Sequence, residues 1–174
     1  MKFFSGNSWV VNTITVILVI SILTGLNYWL TANEAKIGRG FLIPWVGNRF
    51  ILEGKSPYGD DVSNKIEELA YPQPYIAEER ELRFVMPLYA SVIIIPFSFI
   101  SDFNLARALW LSISQLFLLS SSFLILKITE VDQHDKPFFF ALFLFASLWY
   151  FSFFPIVNGH TVILVFFFLL ISIF

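Results

Sequence analysis

Apolar residues occur along this chain in long runs, separated by short polar stretches and by one long polar region. A run of about 20 apolar residues is long enough to cross the hydrocarbon core of a bilayer as a helix. The runs predict transmembrane helices at about 10–30, 84–100, 105–128, 138–157 and 160–174. The predicted fold is therefore an all-α, polytopic transmembrane helical bundle that forms one incomplete domain over residues 1–174.

The long polar region, at about 31–83, lies between the first two apolar runs and holds most of the charged residues. It contains an apolar stripe at helical spacing that includes Phe41, Trp45 and Leu52. A second stripe, at 62–69, ends shortly before a proline. Such stripes predict short amphipathic helices that lie flat on the membrane surface. The region is thus predicted to be a long first loop that folds back over the bilayer.

The composition agrees with a membrane protein, because 57% of the residues are hydrophobic, 14% are charged and 22 are phenylalanine. A soluble domain of this size could not bury so much apolar surface. The first run is longer than the apolar core of a cleaved signal peptide, so it is expected to remain as a helix. The last run reaches Phe174 without a polar flank, from which we expect the sequence to be the N-terminal part of a longer protein.

The charges and the missing cysteines exclude several functions. The formal net charge is -2 and no basic block is present, so no nucleic-acid partner is expected. Without cysteine there is no disulfide, thiol nucleophile or thiolate metal site. The two histidines lie in separate segments, and the paired acids Asp60–Asp61 and Glu67–Glu68 are typical of solvated charge. No metal site is predicted.

Three polar stretches contain side chains that can act on a substrate. The first, EGKSPYGDD at 53–61, has the composition of an ordered turn. Arg83, at the mouth of the second apolar run, either pairs with a phosphate or carboxylate or anchors its helix at the interface. Asn158 and His160 interrupt the apolar sequence near the C-terminus. They form either a functional polar site or a turn in which Asn158 caps the next helix.

Taken in order, four stretches resemble glycosyltransferase family 87 of the GT-C superfamily. They read FLIPWVGNRFILEGKSPYGDDVSNKI, RFVMPLYASVIIIPFSFI, LARALWLSISQ and NGHTVILVFFFLL. The resemblance covers most of the chain from Gly40 onward. It implies that the chain is a GT-C-like N-terminal portion, that the first loop is extracytoplasmic, and that this fragment alone is inactive.

The resemblance also implies an activity. Members of the family transfer a hexose, often mannose, with inversion from a polyprenyl-phosphate-linked donor to an extracytoplasmic glycan or glycolipid acceptor. The expected partners are accordingly membrane lipid, the lipid-linked sugar and the acceptor, and no cofactor is expected. The expected location is a bacterial or archaeal cell membrane, with the chain crossing it several times.

A carboxylate in the first loop is expected to act as general base on the acceptor hydroxyl, which is a poor nucleophile without one. The family's aspartate falls at Gly40 in this chain. The candidate substitutes are Glu34, Glu53, Asp60 and Asp61, among which Asp60 is favoured because it directly follows the Pro-Tyr-Gly turn.

The resemblance assigns substrate binding to seven residues: Trp45, Arg49, Lys55, Tyr58, Arg83, Asn158 and His160. His160 stands where the family has glutamine, and Met86 replaces a tyrosine. If the five apolar runs cross in strict alternation, Tyr58 and His160 face opposite sides of the membrane. A shared site would then require one segment to be re-entrant.

Two other functions fit parts of the sequence. Gly40 in the aspartate position fits a catalytically inactive relative that binds polyprenyl lipid. A transporter subunit would carry ionisable residues inside its spanning segments. The apolar runs are almost free of charge, with Arg107 near one end, which argues against transport.

Overall fold

The computed structural model describes residues 6–34, 37–71, 82–129 and 136–173, and these residues contain helices and no strand. The all-α class predicted from the sequence is therefore confirmed for this part of the chain. The helices are α1 Gly6–Asn33, α2 Leu42–Leu52, α3 Asp60–Ala70, α4 Leu88–Ser98, α5 Phe103–Ile128, α6 Lys136–Leu148, α7 Tyr150–Asn158 and α8 Val162–Ile173. A 3₁₀ turn, Arg39–Phe41, precedes α2.

Two of these helices, α1 and α5, are long and apolar enough to cross a membrane. Helices α6 and α7 meet at a bend of 41° and would add a third span if the bent pair is one crossing. In the most apolar 18-residue stretch of each span, no residue of α1 is buried, whereas 44% of the residues of α5 are buried. Helix α5 is thus the central helix, and α1 packs along it with its other faces exposed.

A polar contact fixes α1 against α5. The Asn27 side-chain amide donates to Ser112 Oγ at 2.9 Å and to Gln115 Oε1 at 3.0 Å. Gln115 Nε2 donates back to Asn27 Oδ1 at 3.2 Å. Between helices in a bilayer, polar side chains gain by pairing with one another because lipid offers them no partner. This network therefore sets the register of the two helices.

The core lies where the 3₁₀ turn meets α4 and α5. The rings of Phe41 and Trp110 stack, with centroids 5.1 Å apart, and Phe97 meets Trp110 edge-on at 5.2 Å. Helices α2 and α3 occupy the two stretches with predicted apolar stripes. Their buried residues, such as Trp45 and Ile66, pack into this core. The stripes therefore face the protein, except at Leu52 of the first stripe and Leu69 of the second, which are exposed.

Two of the predicted helices differ from the structure for identifiable backbone reasons. The second apolar run, predicted at 84–100, becomes helical only at Leu88. Pro87 has φ -62° and ψ 142°, and proline also disfavours helical backbone in the residue before it. The fourth run, predicted at 138–157, is divided at Trp149, whose ψ of 138° is extended. Backbone bonds from Ser152 and Phe153 to the Trp149 carbonyl start the next helix in a new direction.

Candidate functional site

Two glycines let the turn between α7 and α8 pack on the chain that follows α1. The backbone N–H of Gly38 donates to the Val157 carbonyl at 2.6 Å. Gly38 and Gly159 both have left-handed backbones, with φ of 70° and 72°. A Cβ on Gly159 would lie 2.7 Å from the Gly38 carbonyl oxygen. Only glycine suits both the backbone conformation and the close approach at this junction.

Buried side chains from α5 hold the same junction. Trp110 Nε1 donates to the Gly159 carbonyl at 3.1 Å. The Arg107 guanidinium donates to the carbonyls of Thr31 at 2.8 Å and Ile37 at 3.1 Å. Arginine satisfies helix C-terminal carbonyls in this way, so Arg107 ties the end of α1 to α5. The sequence analysis did not predict this role, although a charged residue next to a long apolar run indicates that the side chain has a specific partner.

Next to the junction lies a cavity of about 420 Å³. Its walls come from the 3₁₀ turn and α2, from the extended stretch before α4, and from the α7–α8 turn. The lining residues are Gly40, Ile43, Pro44, Phe84, Val85, Met86, Pro87, Ala90, Gly159, His160 and Thr161. We call it the Gly40–His160 cavity. Its volume is in the range of cavities that hold small molecules.

Tyr58 supports one wall of this cavity from outside. Its hydroxyl donates to the Met86 carbonyl at 2.9 Å, and its ring meets Phe84 at 5.5 Å. Phe84 in turn lies so close over Gly47 that a Cβ there would collide with the ring. The turn around Tyr58 therefore lies against a wall of the cavity that His160 also lines. The short helix α4, with 11 residues, lies between Tyr58 and His160 in the chain and is about 17 Å long, too short to cross a bilayer core.

The cavity is mostly apolar. Its ionisable lining side chain is His160, which is exposed, and beside it lies Thr161. The structure gives the His160 imidazole no hydrogen bond or ion pair with any described residue, while its backbone N–H donates to the Pro155 carbonyl at 2.9 Å. No aspartate or glutamate of the described residues lines the cavity. Likewise, no group of three or more potential metal ligands occurs within the described ranges.

The structure places the four candidate carboxylates outside the cavity. Glu34 is exposed at the end of α1, and Asp60 and Asp61 are exposed in the first turn of α3, where negative charge favours a helix N-terminus. Glu53 pairs with Lys55 at 2.7 Å. A hydrogen bond and attraction from Lys55 hold the pKa of Glu53 below its usual value. A lowered pKa makes this carboxylate a weaker base.

Gly40, the position at which the resemblance leads us to expect an aspartate, lines the cavity but has no room for a side chain. A Cβ there would collide with the backbone carbonyl oxygen of Asn158 and would lie 3.6 Å from His160 Cε1. The Asn158 side chain instead donates to the Phe154 carbonyl of its own helix. In this fold the backbone at the start of the α7–α8 turn occupies the space that a side chain at Gly40 would need.

Of the remaining predicted binding residues, one lies beside the cavity wall and three lie away from the cavity. Arg83 is exposed and directly precedes the Phe84 wall. Trp45 is buried, and its indole N–H donates to the Ile100 carbonyl at 3.3 Å. Arg49 lies over the Trp45 ring at 5.0 Å and lines a second cavity of about 230 Å³ at the end of α2. Lys55 lies over Phe50 at 5.5 Å, so Trp45, Arg49 and Lys55 are not part of the Gly40–His160 cavity.

No protein-family model matches the chain, and no curated protein or solved structure matches it significantly.

Proposed function

We propose that this chain is part of a membrane glycosyltransferase that uses a hexose, such as mannose, linked to polyprenyl phosphate. The observation that supports the proposal is the makeup of the Gly40–His160 cavity. Three stretches on which the resemblance depends, around Gly40, Phe84 and His160, lie far apart in the sequence and line this one cavity.

The chemistry of the cavity suits a lipid-linked sugar. Ile43, Val85 and Met86 offer an apolar wall to an isoprenoid chain. His160 and Thr161 offer hydrogen bonds to sugar hydroxyls. Arg83, exposed beside the Phe84 wall, is chemically suited to pair with the phosphate that leaves with the lipid.

The proposed setting is a bacterial or archaeal cell membrane that the chain crosses several times, with the region between α1 and α4 on the extracytoplasmic side. The lengths of α1, α5 and the bent pair α6–α7 support several crossings. The short α4 supports an arrangement in which the Tyr58 turn and the α7–α8 turn open to the same side. An acceptor glycan or glycolipid would reach the cavity from there.

A second candidate function is binding of polyprenyl lipid without sugar transfer. The crowding at Gly40 favours it, because the position where the resemblance expects a base cannot hold a side chain without movement of the α7–α8 turn. The two functions share the cavity and its lipid ligand, and they differ in whether the sugar leaves the phosphate.

The test uses the purified full-length protein, with any residues that precede or follow this chain, in lipid nanodiscs with radiolabelled polyprenyl-phosphate mannose. Two valines provide a matched pair of variants, because Val85 lines the cavity and Val92 is exposed elsewhere. We expect Val85→Trp to weaken donor binding, because the indole occupies the cavity, and Val92→Trp to bind as the wild type does. Transfer to a lipid or glycan acceptor separates the glycosyltransferase from the lipid binder. The proposal fails if the wild type binds no donor or if both tryptophan variants bind it equally well.

A further inference from the structure

The proposed reaction needs a proton acceptor, and the Gly40–His160 cavity contains one that the resemblance does not assign as a base. His160 is the ionisable side chain among the described lining residues. Its Cε1 atom lies 3.6 Å from the position that a Cβ of Gly40 would occupy. The imidazole therefore lies beside the place where the resemblance expects a carboxylate. Histidine is also the side chain that most readily exchanges a proton near neutral pH.

The surroundings of the imidazole leave it available to a substrate. Helices α7 and α8 contain no charged residue in Tyr150–Asn158 and Val162–Ile173. On the other wall elements, and on α5 and α6, which pack against these two helices, the charged residues are all basic: Arg39, Arg49, Arg83, Arg107, Lys127 and Lys136. The hydroxyl of Tyr58 is bound to the Met86 carbonyl. Among the described residues of these elements, no carboxylate competes with His160 for the role of base.

We propose that His160 is the catalytic base of the sugar transfer, an inference that rests on the function proposed above. The acceptor hydroxyl oxygen bonds to the anomeric carbon of the lipid-linked hexose while the bond from that carbon to the phosphate oxygen breaks. The electron pair of the broken bond leaves with the polyprenyl phosphate. The hydroxyl proton moves to the imidazole and from there to water. The glutamine that the family has at this position could form hydrogen bonds but could not take the proton.

The decisive variant is His160→Gln, which keeps a hydrogen-bond donor and acceptor and removes the base. Because His160 is exposed, the change leaves the core intact, and donor binding together with tryptophan fluorescence verifies the fold. We expect unchanged binding of polyprenyl-phosphate mannose and a kcat lowered by about 100-fold or more, the usual contribution of a general base. Glu68→Gln, which changes an exposed carboxylate of α3 outside the cavity, is the control and should transfer sugar as the wild type does.

Three results would overturn this assignment. The first is a His160→Gln protein that retains the wild-type kcat. The second is loss of transfer when the three glutamates in the sequence just before Arg83, namely Glu78, Glu79 and Glu81, become glutamine, with transfer retained in His160→Gln, which would assign the base to one of those carboxylates. The third is a wild-type protein that binds the donor and transfers nothing, which leaves lipid binding as the function. Failure of the wild type to bind the donor would instead refute the proposed function itself.

Discussion

Gly40→Asp introduces the aspartate that the resemblance expects at this position, and the structure predicts that it destabilises the protein. The new Cβ would collide with the Asn158 carbonyl oxygen, which belongs to the backbone and cannot rotate away. Either the 3₁₀ turn or the α7–α8 turn must move. That movement would disturb the Gly38–Val157 hydrogen bond at the neighbouring junction.

The magnitude follows from the cost of overpacking. Inserting a group into a packed site costs about 1–3 kcal/mol. For a chain of 174 residues, that cost corresponds to a fall in unfolding temperature on the order of 2–12 °C. The assay is thermal unfolding in detergent followed by tryptophan fluorescence. Trp110 reports on this region because it stacks on Phe41 and is bonded to the Gly159 carbonyl.

Two other glycines separate crowding from backbone strain. Gly59 has φ -86° and no atom within 4 Å of a Cβ, so Gly59→Asp should change stability by less than about 0.5 kcal/mol. Gly54 has equally open surroundings but φ 73°, so Gly54→Ala reports left-handed strain alone, about 1–2 kcal/mol. An unfolding temperature for Gly40→Asp equal to that of the wild type would refute the contact between Gly40 and Asn158. Increased sugar transfer in that variant would refute the argument that the position has no room.

Three further predictions concern the rest of the protein. Asn27→Leu should lower the free energy of unfolding in detergent by about 1 kcal/mol, because the amide bonds across α1 and α5 are lost; an unchanged unfolding temperature would contradict the network. Glu53→Gln should lower the unfolding temperature slightly at pH 7. The pKa of Glu53 is lower in the folded protein because of Lys55, so the ionised carboxylate stabilises the folded state at any pH above the unfolded-state pKa. That difference should vanish as the pH falls through the folded-state pKa, and a difference that grows at acid pH would contradict it. The sequence has no cysteine, so Ser56→Cys gives a single exposed thiol; an impermeant maleimide should label it from outside intact cells, and labelling only after lysis would place the loop in the cytosol.

Some features of the fold were accessible from the sequence because they depend on local composition. Helices α1 and α5 follow from long apolar runs, since burial or lipid contact of such runs does not depend on a particular partner. The delayed start of α4 could have been predicted from Pro87, because proline restricts its own φ and the conformation of the residue before it. The extended backbone at Trp149 has no such local signal.

Only part of the candidate site could be predicted from the sequence. The polar residues Asn158 and His160 are conspicuous in an apolar sequence, and the pattern left open whether they form a functional site or a turn. The structure has a turn there, but Asn158 is the last residue of α7 and its side chain bonds to the Phe154 carbonyl, so the prediction that it caps α8 is wrong. The candidate carboxylates were chosen by their order in the chain, and sequence order does not determine which of them reaches a cavity. The contacts of Arg107 could not be predicted from sequence order either. Its position next to an apolar run is visible in the sequence, but its bonds to Thr31 and Ile37 depend on how α1 packs on α5.

The sequence by itself determined that the described chain is helical and where its long apolar segments lie, because hydropathy and proline act through neighbouring residues. Tertiary structure decided which distant stretches share a cavity. The close approach of Gly38 to Gly159 brings the chain after α1 against the α7–α8 turn. That contact removes the room for a side chain at Gly40 and leaves the His160 imidazole in the cavity. Such an arrangement depends on packing between elements more than a hundred residues apart, which no local pattern encodes.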